Sequence, residues 1–196
     1  AREICTSENF HSQQWQLIYI SGIVEQYAGR PDVPWHLLPR HERELTQSRI
    51  LDVEYIRLSW HEHVARISID YARSCARGSA ERRRALELAG PAIRALRNFK
   101  SDHYRGTYAK LRAMDAEARG RRSETLEWLQ RAESHYNNIP TPLHAHSAQW
   151  CRGALMGPSG KPLVVAAEAW MRDRGIVRPD RYANFHIPCT PIERLD

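Results

Sequence analysis

The sequence predicts an all-α chain built from antiparallel helix pairs stacked side by side. Three observations lead there. Apolar residues recur at three- and four-residue spacing along nearly the whole chain. Sustained alternation is missing and no Asn-Gly or Asp-Gly pair marks a hairpin, so strands have no signal. Breaks at Gly29-Arg30-Pro31-Asp32, Arg77-Gly78-Ser79, Gly120, Asn137-Asn138-Ile139-Pro140, Gly157-Pro158-Ser159-Gly160 and Gly175 cut the pattern into helix-length pieces.

The first helix is expected over Asn9 to Ala28, with Trp15, Ile18, Tyr19, Gly22, Ile23 and Tyr27 on its apolar side. From Val33 to Arg40 the prolines Pro34 and Pro39 argue against a helix interior, so a short turn carrying Trp35, Leu37 and Leu38 is expected. Trp35 there either plugs a groove between helices or joins a contact surface. The longest helix is placed from Arg43 or Ile50 to Ala76, with one stripe through Ile50, Val53, Trp60, Val64, Ile67, Tyr71 and Cys75. A second stripe runs through Leu51, Tyr55, Leu58, Ala65, Ile69, Ala72 and Ala76. A helix apolar on two sides is covered on two sides, as an interior helix of a stacked array must be.

Gly78 closes that helix and Ser79 caps the next, which is expected over Ala80 to Asn98 with a kink or break near Gly90 caused by Pro91. Helices follow over Asp102 to Arg119 and Ser123 to Tyr136, with Ser123 as N-cap. The last pair covers Pro142 to Leu155 and Lys161 to Arg174, with Ser159 as the N-cap between them and Gly175 as the stop. Trp170 and Met171 then fall on the inner side of the final helix, where a bulky Trp closes the end of the core. The helical domain is expected over residues 1–182, with 183–196 as an irregular tail.

With 196 residues, 42% of them hydrophobic, the chain has enough apolar material for a sizeable core. It begins at Ala1, with an apolar pattern already running by Phe10 and Trp15, which predicts a piece of a longer polypeptide. No run approaches the roughly 20 apolar residues that span a bilayer, and a signal peptide's regions are missing, so a cytoplasmic protein is expected. Cys5, Cys75, Cys151 and Cys189 lie far apart and form no CxxC pair, which points to reduced thiols rather than a zinc ribbon or disulfide framework.

Helix pairs of this size resemble tetratricopeptide repeats, which are 34 residues long and carry small residues where their helices cross. Within Asp102 to Asn138 the resemblance rests on Ala113, Gly120, Leu129, Ala132 and Tyr136, while Thr125 stands where Ala is usual and Asn137 where Pro often ends the repeat. The closing stretch Ala167-Glu168-Ala169-Trp170-Met171-Arg172, Gly175-Ile176, Pro179 and Arg181 is more specific. It resembles the C-terminal helical tail of large multidomain bacterial regulators that join a serine/threonine kinase domain, an ATPase domain and a tetratricopeptide-like array. Weaker similarity reaches back to Phe10-His11-Ser12-Gln13-Gln14-Trp15 and Tyr27-Ala28-Gly29, and Tyr182 departs from the Met usual there. The resemblance implies a right-handed superhelix and a sensing or docking tail, with kinase and ATPase chemistry lying upstream.

Candidate chemistry is sparse, and no catalytic, cofactor-binding or metal residue is assigned. His61-Glu62-His63 and His144-Ala145-His146 place histidines two apart, which point to different sides of a helix. A metal site from His144, His146 and Cys151 is the sharpest minority option. Gly157 to Lys161 looks superficially like a phosphate loop, but Pro162 follows Lys161 where Ser or Thr is needed. The expected function is therefore non-enzymatic binding of a protein or peptide, possibly another domain of the same polypeptide. The net charge of +6 and the arginines Arg82, Arg83, Arg84, Arg94, Arg97, Arg119, Arg121 and Arg122 motivate the alternative, a basic helical module that binds nucleic acid.

Overall fold

A computed structural model describes residues 12–188, and its backbone divides between Ala95 and Leu96 into two compact units. Asn9 to His11, expected in the first helix, lie outside the described residues, as do Cys5 and Cys189. The described residues form helices α1 (Ser12–Tyr27), α2 (Asp32–Gln47), α3 (Glu54–Ser74), α4 (Ala80–Ala95), α5 (Asp102–Ala118), α6 (Arg122–Asn137), α7 (Pro142–Met156), α8 (Lys161–Asp173) and α9 (Pro179–His186). No strand occurs among them.

In the first unit α3 is the axis. From His63 to Asp70 every side chain is buried, so the helix is covered all round, and α1, α2 and α4 each pack on it. The two stripes merge there: Trp60, Val64 and Ile67 are buried together with Leu58, Ala65, Ile69 and Ala72. The start of α3 corrects the expectation of a helix from Arg43 or Ile50. Arg49 takes the left-handed conformation at φ 58°, a 3₁₀ turn covers Ile50–Asp52, and Val53 is extended, so Val53 and Tyr55 face solvent.

The turn expected over Val33 to Arg40 is instead part of α2. Pro34 lies in the first turn, where helix N–H groups have no intrahelical acceptor. Only Pro39 sits in the interior, where it removes the N–H due to the Trp35 carbonyl at a cost of about 3 kcal/mol. Burial of Leu38 and Leu45, worth about 1.5 to 3 kcal/mol each, offsets that loss. Likewise α4 is not broken at Gly90 but runs through Pro91 to Ala95, held by buried Ala85, Leu86, Ala89, Ala92 and Ile93. The Ser79 hydroxyl caps it as expected, accepting from the Arg82 N–H at 3.1 Å.

In the second unit α5 and α6 pack along each other across a short turn, so they run antiparallel. Gly120, at φ 74°, supplies the left-handed residue, and the Arg121 N–H reaches back to the Ala116 carbonyl at 2.9 Å. The expected cap at Ser123 is not made: Arg121 holds the cap position, and Thr125 donates its hydroxyl to the Arg121 carbonyl at 3.0 Å. Ala113, Leu129, Ala132 and Tyr136 are all buried. Tyr136 lies flat on Gly106, and its hydroxyl meets Thr107 Oγ1 at 3.3 Å.

The pair α7 and α8 is joined by a 3₁₀ turn, Gly157–Gly160, and closes where Gly153 and Gly160 bring their backbones together. Ser159 donates to the Met156 carbonyl at 3.2 Å instead of capping α8, whose N-cap is Gly160. The irregular tail expected from Ala183 is helical through His186, because α9 packs on α7 and α8 with Ala183, Asn184 and Ile187 buried.

A methyl group at Gly106 would stand 2.7 Å from Tyr136 Cε1. Gly106→Ala should therefore destabilise the protein by about 1 to 3 kcal/mol in denaturant unfolding, and an unchanged midpoint would show that the α5–α6 crossing has slack.

Candidate functional site

The histidines separate into unlike surroundings. His63 is buried among the rings of Trp15, Tyr19 and Trp60, with centroids 5.9, 5.3 and 6.0 Å away. Burial drives its imidazole down to about 3, with Arg66 and His41 pushing the same way and Glu62 opposing. Burial, followed by Glu62, pushes the Tyr19 hydroxyl up to about 12. His61, two residues from His63 and half-buried, is lowered by burial and then by Arg57.

On α7, His144 packs its ring on Tyr136 and on His186, whereas His146 stacks on Trp170 at 4.2 Å and bonds Gln149 Oε1 through Nδ1 at 2.9 Å. Cys151 turns its thiol to the Ile187 carbonyl at 3.2 Å. His144 and Cys151 thus face α9, whereas His146 lies against Trp170 of α8 and is turned away from both. No group of three or more His, Cys, Asp or Glu among the described residues could hold a metal ion.

Five of the arginines named for a nucleic-acid surface also tie the fold together, and four of these five, Arg83, Arg119, Arg121 and Arg122, remain exposed. Arg82 donates to the Ala72 carbonyl, Arg83 to the Gly78 carbonyl, and Arg122 to the Leu155 carbonyl. Arg119 and Arg121 both hold Asp115, at 2.9 and 3.1 Å. Arg84, Arg94 and Arg97 are exposed. Nearby, Glu124 accepts from Arg112 at 2.8 Å and from Trp128 Nε1 at 3.3 Å, and the Arg112 bond holds its carboxyl below the usual range. The guanidiniums of Arg112 and Arg131 lie 5.0 and 4.5 Å from the Trp128 ring centre.

Trp35 is half-buried and stacks on Tyr71 of α3 with centroids 4.7 Å apart and planes 10° from parallel. Trp150 donates to Glu168 at 3.0 Å, while Trp170 is half-buried between His146 and the Arg174 guanidinium, 3.9 Å from its ring. Trp170 therefore does not close the end of a last helix, since α9 follows and fully buried Met171 is the inward residue.

A feature the sequence reading missed is the outer side of α1. Trp15, Gly22 and Gln26 are buried, whereas Ile20, Val24 and Tyr27 are 55, 54 and 37% exposed, so Tyr27 is not on the packed side as expected. The signal was present: Leu17, Ile20, Val24 and Tyr27 recur at three- and four-residue spacing, and Glu25 is the one charged residue of the helix. On α8 a narrower strip exposes Val165 with Ala166 and Ala169. No described helix is long and apolar enough to cross a membrane. Comparison with protein-family models, curated proteins and solved structures gave no match.

Met171→Ala should cost about 2 to 5 kcal/mol, whereas Trp170→Ala should cost about 1 to 2 kcal/mol, the worth of one ring stack and one cation–π contact. Thermal unfolding of both variants checks the order, and a larger loss from Trp170→Ala would restore its role as a core cap.

Proposed function

We propose that this chain is a non-catalytic protein–protein interaction module, the docking or sensing part of a cytoplasmic, multidomain bacterial signalling protein. The outer face of α1 carries the reading. An apolar line of Ile20, Val24 and Tyr27, bordered by exposed Gln13, Gln16 and Ser21, has the spacing and neutrality to lie against the apolar stripe of a partner helix. Glu25 is drawn aside by Arg30 at 2.6 Å and leaves the face uncharged.

In this reading the helix pairs belong to a tetratricopeptide-like right-handed superhelix. The helical pairing of α5 with α6 and the burial of Ala113, Leu129, Ala132 and Tyr136 support that arrangement. The similarity of Ala167 to Arg181 to the tails of kinase–ATPase regulators supports the signalling role, and the chemistry of such a protein would reside in its other domains.

A photoreactive residue in place of Ile20, within the full polypeptide in its native cells, should give protein adducts that the same residue at exposed Ser74 does not. Val24→Glu with Tyr27→Glu, on the same face beside the photoreactive residue, should abolish them while leaving the helical circular dichroism unchanged. A lack of protein adducts at both 20 and 24 would contradict the proposal, and adducts to nucleic acid instead would favour the basic-module alternative.

A further inference from the structure

Helix α1 meets α3 around one ring. His63 is 2% exposed, and its neighbours Trp15 and Tyr19 both come from α1. Gly22 presses on it so closely that a methyl group there would lie 2.4 Å from His63 Cε1. The ionisable groups facing the imidazole are Tyr19 from α1, His41 from α2, and Glu62 and Arg66 from α3. Arg66 and His41 oppose a second positive charge, and only Glu62 favours one. Ring faces of Trp15 and Trp60 attract a cation, but they do not replace the water that an imidazolium loses in this site.

We propose that His63 makes α1 an acid-released element: protonating its ring undocks Ser12–Tyr27 from α3, while the second unit keeps its fold. The docked helix requires neutral imidazole, whose titration lies near 3 there and at the ordinary 6.5 once released. Docking is therefore at full strength above 6.5 and weakens about tenfold for each pH unit below it, down to about 3. The release is local because α1, packed on α2 and α3, leaves its outer face of Ile20, Val24 and Tyr27 open, whereas α3 is enclosed all round and packs also with α4. This inference concerns how α1 is held and stands whether or not its outer face binds a partner.

Amide exchange of the full chain between pH 7 and 4, corrected for the intrinsic pH dependence of exchange, reads the release directly. Protection across α1 should fall about tenfold per pH unit below 6.5, with protection in α5 and α6 unchanged. In His63→Phe, or His63→Leu should the first variant fail to fold, α1 protection should no longer follow pH. Asp70, which accepts from Gln26 at the other end of α1, is retained in both variants, so the difference between wild type and variant reports His63 alone. A flat wild-type profile, a fall that persists in the variant, or simultaneous loss of protection in α5 and α6 would each overturn the proposal.

Discussion

Complete enclosure of α3 between His63 and Asp70 is the constraint on which the first unit depends. That stretch places His63, Arg66, Ser68 and Asp70 in the interior beside Val64, Ala65, Ile67 and Ile69. Polar groups taken from water must meet partners, so the surrounding helices are selected for what they offer α3 as much as for apolar area. Helix α1 answers with Gln26, which donates to Asp70 Oδ2 at 2.5 Å, and Arg73 stands 3.9 Å from the same carboxylate. It also answers with Gly22, the one residue type that lets its backbone come down onto the His63 ring.

Those two contacts fix the rotation of α1. With Gln26 and Gly22 turned inward, the face half a turn away must look outward, and that face carries Ile20, Val24 and Tyr27. The exposed apolar line is thus a consequence of polar matching at α3. It is also why we propose a partner helix as the ligand, because the surface left open is apolar and helically spaced.

The all-helical composition, the breaks at Gly29, Gly78, Gly120 and Gly175, and the Ser79 cap were legible because each depends on a few neighbouring residues. The rotation of α1 was legible in Trp15, Tyr19 and Gly22, but Gln26 inside and Tyr27 outside were not, since an apolar count cannot tell that Gln26 is wanted inside by an Asp 44 positions away. Proline misled at Pro39, and at Pro91 the helix continues without a break: whether a helix runs through either is decided by side chains that tertiary packing buries on either side. Ser123 and Ser159 failed as caps because a Schellman turn and a 3₁₀ turn, respectively, set where α6 and α8 begin. The pairing of Tyr136 with Gly106 needed the crossing point of two helices, which periodicity does not locate.

A double-mutant cycle on Gln26→Leu and Asp70→Leu, read by denaturant unfolding, tests most directly whether polar matching at α3 orients α1. A hydrogen bond to a buried carboxylate should appear as a coupling of about 1.5 to 3 kcal/mol between the two positions. Losses that add to within about 0.5 kcal/mol would contradict the account, because α1 would then owe its orientation to apolar packing alone.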